Sequence, residues 1–172
     1  MQVKSLILNK EEVLNYGIVL PVVAFTIPFF ASGPQLLTGT LVNSFLILTA
    51  IKLPLRKAWP VIVFPSIGAL GNGILFGPYT PFLTYFLPFI WLGNFILVKS
   101  FIEIKKNTSF PLALFLSSLL KAALLFVFAF AYFKLNLVPQ IFLTAMSIFQ
   151  FLTAIAGGTL TFGLLKALNR ND

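Results

Sequence analysis

The run of about 24 apolar or small residues from Phe110 to Phe133 constrains this chain most, because a single charge, Lys121, interrupts it near its middle. At about 1.5 Å per helical residue, a run of this length matches the roughly 30 Å hydrocarbon core of a bilayer. A lysine at mid-span costs several kcal/mol unless other groups satisfy its ammonium. No Asp or Glu lies inside any apolar run. We therefore expect a buried cation whose partner the chain does not itself supply.

The composition predicts an integral membrane protein. Of the 172 residues, 59% are hydrophobic and only 9% are charged, whereas soluble domains carry about 25% charged residues. The net charge of +8 falls in short loops between apolar runs, where membrane topology explains it better than nucleic-acid binding does. We expect no nucleic-acid partner and a surface in contact with membrane lipids.

The residue types that the chain lacks argue against catalysis. Cysteine and histidine are absent, which excludes disulfides, thiolate metal sites and the commonest general base. No carboxylate is available inside the membrane for acid–base or metal chemistry. We expect no enzyme activity, no catalytic residue, no metal and no cofactor.

Six apolar segments of spanning length divide the chain, which predicts an all-α polytopic membrane protein: a six-transmembrane-helix bundle in one domain, residues 1–172. The spans are expected at about 14–30, 36–51, 59–76, 82–98, 110–133 and 140–165. Gly68, Gly71 and Gly73 fall in the third span, a density typical of close helix contact or of a broken helix that lines a cavity. Met1 to Glu12 is a polar lead, one interpretation of which is an interfacial helix. We expect no cleavable signal, because this lead is polar and no small-residue cleavage site follows the first apolar run.

The basic residues predict the orientation in the membrane. With six spans, both termini share one side, and ten of the twelve Lys and Arg residues fall on that side. The positive-inside rule therefore places both termini in the cytoplasm, and we expect the protein in the plasma membrane. The outer loops are short and nearly uncharged. Two interpretations of these loops stay open: a lid over a pocket, or tight turns between antiparallel helices.

Polar side chains inside the spans suggest a binding site. Three spans carry an asparagine in similar local sequence, and each carboxamide must find donors and acceptors in hydrocarbon. One interpretation is interhelical hydrogen bonding that stabilises the bundle; the other is a pocket for a polar or anionic small molecule. Two serines lie one turn before the lysine on its own helical face, where they can bond its ammonium, although the amine could instead be neutral. The predicted substrate-binding residues are Gln35, Asn43, Asn72, Asn94, Ser117, Lys121 and Gln150, with Ser118 as a second serine beside the lysine.

The architecture resembles the substrate-binding (S) component of energy-coupling-factor (ECF) transporters, or small bacterial membrane proteins related to it. The similarity lies in six short helices, cytoplasmic termini and uncharged outer loops. It also includes two segments, Gly33-Pro34-Gln35-Leu36-Leu37-Thr38-Gly39-Thr40-Leu41-Val42-Asn43 and Pro65-Ser66-Ile67-Gly68-Ala69-Leu70. This resemblance implies capture of a vitamin-like or other anionic nutrient from outside, driven by a membrane coupling subunit and cytoplasmic ATPases.

Other functions stay open at this point. A stand-alone channel or carrier for a small polar or anionic solute would use the same asparagines and Lys121 along a water-filled path. A structural subunit of a membrane complex would need no ligand at all. A membrane enzyme with Lys121 as a Schiff-base residue is conceivable chemistry, but the chain offers no counter-ion. No phosphate-binding G-x-x-x-x-G-K-[ST] motif is present, so any ATPase would be a separate chain.

Overall fold

The computed structural model describes residues 10–31 and 33–168, and every regular element among them is helical. The helices are α1 Lys10–Phe30, α2 Gln35–Lys52, α3 Trp59–Asn72, α4 Leu83–Lys105, α5 Phe110–Lys134, α6 Ile141–Ala145 and α7 Ile148–Leu168, with short 3-10 turns at Leu55–Lys57 and Gly77–Phe82. The last three residues of the predicted polar lead form the start of α1. The rest of that lead and residues 169–172 lie outside the described part of the chain.

Five helical segments are long and apolar enough to cross a membrane: Glu11–Phe30, Gln35–Lys52, Gly77–Lys105, Phe110–Lys134 and Ile141–Leu168. The predicted all-α class is therefore confirmed for the described residues, and these segments are compatible with an integral membrane protein. The third predicted span is the exception, since α3 has only 14 residues and reaches about 21 Å. We predicted that this span would continue to Phe76, but α3 ends at Asn72. Gly73 adopts the left-handed conformation, with φ 80°, and the Asn72 side chain accepts a hydrogen bond from the backbone nitrogen of Ile74.

Two other predicted spans also differ from the helices. The fourth predicted span stopped at residue 98, whereas α4 continues to Lys105, because the polar residues after Val98 still have good helix propensity. The sixth predicted span is divided into α6 and α7. Met146 leaves the helical region, with φ −98° and ψ 7°, and the Ser147 hydroxyl bonds the carbonyl of Leu143. The helix is therefore interrupted where neither proline nor glycine marks a break.

The long helices α1, α2, α3, α4, α5 and α7 alternate in direction. The largest interfaces are α2–α7, α1–α3 and α4–α5. Helices α2 and α7 run parallel, because Asn43 bonds Thr153 and, further along both helices, Ser44 bonds Thr161. Helices α4 and α5 run antiparallel, as the stacking of Phe89 on Phe128 and the edge contact of Phe101 with Phe110 require. The loops α1–α2, α3–α4 and α5–α6 therefore share one end of the bundle, which we call the loop end.

The opposite end carries the basic residues of the described loops, and we call it the basic end. It is formed by the C-terminal parts of α2, α4 and α7, by the 3-10 turn that follows α2 and by the loop that follows α4. Its cationic residues are Lys52, Arg56, Lys57, Lys99, Lys105, Lys106 and Lys166. This distribution is the structural counterpart of the charge asymmetry in the sequence.

Two glycines allow the backbones of neighbouring helices to approach each other closely. A Cβ atom on Gly68 of α3 would lie 2.5 Å from the carbonyl oxygen of Phe25 in α1. A Cβ on Gly157 of α7 would lie 2.6 Å from the backbone nitrogen of Ser44 in α2. Both distances are far below a carbon contact, so only glycine permits these backbones to approach.

The buried apolar residues form two separate clusters. The basic-end cluster contains Leu46, Ile47, Ile62, Leu97 and Phe101 among others. The loop-end cluster contains Phe76, Phe86, Leu125, Phe142 and Met146 among others. Along α3, α4 and α5 the change from one cluster to the other falls at buried polar residues, namely Ser66, Asn94 and Ser117 to Lys121. A polar layer therefore lies between two apolar cores.

Candidate functional site: a polar pocket with a buried lysine

Lys121 lies inside this polar layer and is buried, with 2% of its surface exposed. Its Nζ donates a hydrogen bond to Oδ1 of Asn43, 2.7 Å away on α2. The expectation that the chain supplies no partner for this ammonium is therefore wrong, since Asn43 supplies one. Among the described residues, Lys121 donates a hydrogen bond to Asn43 alone. Two of the three ammonium protons therefore have no acceptor in this part of the chain.

Asn43 is itself fixed by bonds on both sides of its carboxamide. Its Nδ2 donates to the carbonyl of Gly39, at 2.9 Å, and to Oγ1 of Thr153, at 3.1 Å. The Thr153 hydroxyl in turn donates a hydrogen bond to the carbonyl of Phe149, at 2.7 Å. Since Gly39 offers only an acceptor, Nδ2 must face it and Oδ1 must face Lys121. The α2–α7 interface thus orients the oxygen that holds the lysine.

Ser117 and Ser118, which we expected to bond the ammonium of Lys121, do not contact it by hydrogen bonds. The Ser117 hydroxyl donates to the carbonyl of Leu114, at 3.2 Å, within its own helix. The Ser118 hydroxyl is buried and has no hydrogen-bond partner in the described part of the chain. The expected serine–ammonium bonds are therefore not formed. Ser117 instead satisfies its hydroxyl on a carbonyl of the preceding turn, as helical serines often do.

Lys121 borders a pocket of about 70 Å³, which is room for a few water molecules or a small polar group. The pocket lies between the polar layer and the loop end. Five of the predicted site residues line it: Gln35, Asn43, Asn94, Lys121 and Gln150. Its remaining walls are mainly apolar and include Leu75, Phe76, Leu83, Ile90 and Met146. One cation and several carboxamides thus converge on a small chamber with apolar sides.

Asn94 enters the pocket wall from α4 and is only 1% exposed. Its Nδ2 donates to the carbonyl of Ile62 on α3, at 2.9 Å. Its Oδ1 is buried without a hydrogen-bond partner among the described residues. An acceptor left in this state costs free energy, so a bound molecule or an ordered water is its natural complement.

Two of the predicted residues do not line the pocket. Asn72 caps the end of α3 and donates from Nδ2 to the carbonyl of Phe29 in α1, at 2.7 Å, so it joins two helices as the interhelical interpretation of these asparagines describes. Ser117 is fully buried on α5 but bonds only within its helix. Gln35, at the loop end, both lines the pocket and donates to the carbonyl of Ala145, at 3.0 Å, which joins α2 to α6.

Sequence reasoning missed one polar pair beside the pocket. The Trp91 indole nitrogen donates to Oγ of Ser66, at 2.8 Å, and Ser66 lines the pocket. Trp91 lies in the third turn of α4, next to the polar layer. The signal was present in the sequence as a serine directly after Pro65, within an otherwise apolar span.

The site has the chemistry of a binding pocket. In the described part of the chain no three His, Cys, Asp or Glu side chains lie close enough together to hold a metal ion. The groups that remain are hydrogen-bond donors and acceptors around one amine. No family model, no curated protein and no solved structure matches this chain. The pocket itself is therefore the basis for assigning a function.

Proposed function

We propose that this protein is the substrate-binding membrane subunit of an importer for a small anionic nutrient, of the ECF type. In this proposal six segments cross the membrane, α3 being the short one, and both termini are cytoplasmic. The loop end then faces outward and receives the substrate. The observation that carries the proposal is the buried Lys121 on the wall of a pocket at the loop end, with two ammonium protons left over.

The position of the pocket favours capture over free conduction. Between the polar layer and the basic end, the interior is filled by side chains with no exposed surface, including Leu46, Ile47, Ile62 and Leu97. A water-filled path would have to pass through this apolar cluster. Release toward the basic end therefore requires a rearrangement, which is the work of a coupling subunit with its ATPases in the proposed importer.

The expected ligand contact is a charge-assisted hydrogen bond to Lys121 in a site with little water. Such a bond contributes about 1.5–3 kcal/mol, so its loss lowers affinity about 10- to 100-fold. Lys121→Met keeps the length of the side chain and removes the ammonium. We expect this variant to lose the small molecule that native mass spectrometry detects on protein purified from its host membrane.

The matched control is Lys134→Met, on the same helix. Lys134 is exposed at the loop end and its Nζ lies 5.5 Å from the Phe130 ring centroid, away from the pocket lining. This variant removes the same charge and should keep the ligand. Retention of the ligand by Lys121→Met, with thermal unfolding in detergent unchanged, would contradict the proposal.

A second measurement separates the importer subunit from a stand-alone channel or carrier. The purified chain alone, reconstituted in liposomes, should bind the co-purified molecule without transporting it. A coupling subunit and ATPases should co-purify from the host in fixed proportion. Sustained flux through the chain alone would favour the channel or carrier.

A further inference from the structure

Two buried groups in the wall of the pocket have hydrogen-bonding capacity that the described residues do not use. Lys121 Nζ offers two more protons after its bond to Asn43. Asn94 offers an acceptor, Oδ1, that has no partner. The bond from Asn94 Nδ2 to the carbonyl of Ile62 fixes which atom is the oxygen. The pocket therefore presents a donor cation and a neutral acceptor at the same time.

These two groups belong to neighbouring turns of packed helices. Gly93, the residue before Asn94, lies against the stem of the lysine, and a Cβ there would be 3.4 Å from Lys121 Cγ. Both side chains line the same pocket of about 70 Å³. In so small a space, a molecule that satisfies both groups carries its anionic group and its hydrogen-bond donor close together.

We propose that the pocket binds a 2-hydroxy carboxylate with a short apolar body. The carboxylate accepts from Lys121 Nζ, the hydroxyl donates to Asn94 Oδ1, and the apolar body lies against Leu83, Ile90 and Met146. This inference rests on the proposed function, because it concerns the ligand of the same pocket. The donor is a hydroxyl because an ammonium on the ligand would face Lys121 with a like charge, and the spans contain no carboxylate to offset it.

Three probes of nearly equal size test this ligand class: 2-hydroxybutanoate, butanoate and 2-aminobutanoate. They are titrated calorimetrically into the full-length chain in detergent, after its native ligand has been removed. We expect 2-hydroxybutanoate to bind about tenfold or more tightly than butanoate, because a site built for a hydroxyl leaves its acceptor unpaired with the analogue that lacks it. We expect 2-aminobutanoate to bind more weakly than 2-hydroxybutanoate.

Two asparagine variants locate the effect. Asn94→Leu removes the acceptor and should reduce the preference for 2-hydroxybutanoate over butanoate to about one. Asn72→Leu is the matched control, because Asn72 also donates from Nδ2 to a backbone carbonyl of a neighbouring helix but does not line the pocket. It should keep the tenfold preference. If Asn94→Leu does not fold, the comparison of the three probes on the native chain still decides.

The outcomes separate this inference from the proposed function. Equal binding of 2-hydroxybutanoate and butanoate, with both lost in Lys121→Met, would overturn the ligand class and leave the importer subunit standing. An unchanged preference in Asn94→Leu would also overturn it, since a water or another group would then supply the acceptor. If none of the three probes binds, the ligand class is wrong. The proposed function fails separately, if no small molecule accompanies the native protein.

Discussion

Asn43 makes three hydrogen bonds, and through them a lysine is held in the middle of α5. Its oxygen accepts from Lys121, while its nitrogen donates to Gly39 and Thr153. A neutral acceptor does not cancel the charge of the ammonium. It fixes the direction of one N–H bond and leaves the positive charge of Lys121 available to an anion. A buried carboxylate in the same place would have neutralised that charge.

The pairing of Asn43 with Lys121 can be tested by a double-mutant cycle. Asn43→Leu strands the ammonium and should lower the free energy of unfolding by about 1–3 kcal/mol. The double variant Asn43→Leu/Lys121→Met replaces both partners by apolar groups and should recover much of that loss. Thermal unfolding in detergent measures both. If the two single effects simply add, Asn43 does not hold the lysine.

At the scale of helices, the α2–α7 interface depends on the absence of a side chain at Gly157. The backbone of α2 lies directly above this residue, so any Cβ must push the two helices apart. The same interface supplies Asn43 and Thr153, the residues that orient the lysine. Packing of the helices and geometry of the pocket are therefore linked.

Gly157→Ala should lower the free energy of unfolding by about 1–3 kcal/mol, as expected of an overpacked contact. Gly163→Ala is the control on the same helix, because a Cβ there meets nothing within 4 Å. It should leave stability unchanged or raise it slightly, since alanine favours helix over glycine. Thermal unfolding of the two variants in detergent should show opposite behaviour, and equal effects of the two substitutions would show that the contact at Gly157 is not decisive.

The sequence predicts the helices better than it predicts their ends and partners. Hydropathy alone places most of the spans, because apolar runs such as Phe110–Phe133 are long enough to cross a bilayer. The break after α6 has no such signal, since Met146 and Ser147 are ordinary residues inside a helical run. The partner of Lys121 could not be predicted either. Asn43 lies 78 positions earlier, and its choice depends on which helices pack together. The predicted pocket residues stay predictions of function, although the structure brings five of the seven together.

At the scale of the whole molecule, the basic end and the loop end predict an orientation. The positive-inside rule places the basic end in the cytoplasm, and the proposed importer needs the loop end outside. The natural sequence contains no cysteine, so a single introduced thiol reports its own position without background.

Tyr79→Cys and Asn107→Cys place thiols at exposed positions of opposite ends. In intact cells, a membrane-impermeant maleimide should label Tyr79→Cys, whereas Asn107→Cys should react only after the cells are permeabilised. The reverse pattern would place the pocket on the cytoplasmic side and exclude capture from outside. Labelling of both thiols in intact cells would contradict the expectation that α4, which lies between them, crosses the membrane.

The division of the interior into two cores affects how the molecule accommodates a guest. A ligand larger than the present chamber presses on Phe76 and Met146 and, behind them, on the ring stack of Phe86 and Phe142. The leucines and isoleucines nearer the basic end belong to the other core and need not shift. Swelling is thus confined to one half of the bundle, while the packing of the opposite half is left in place.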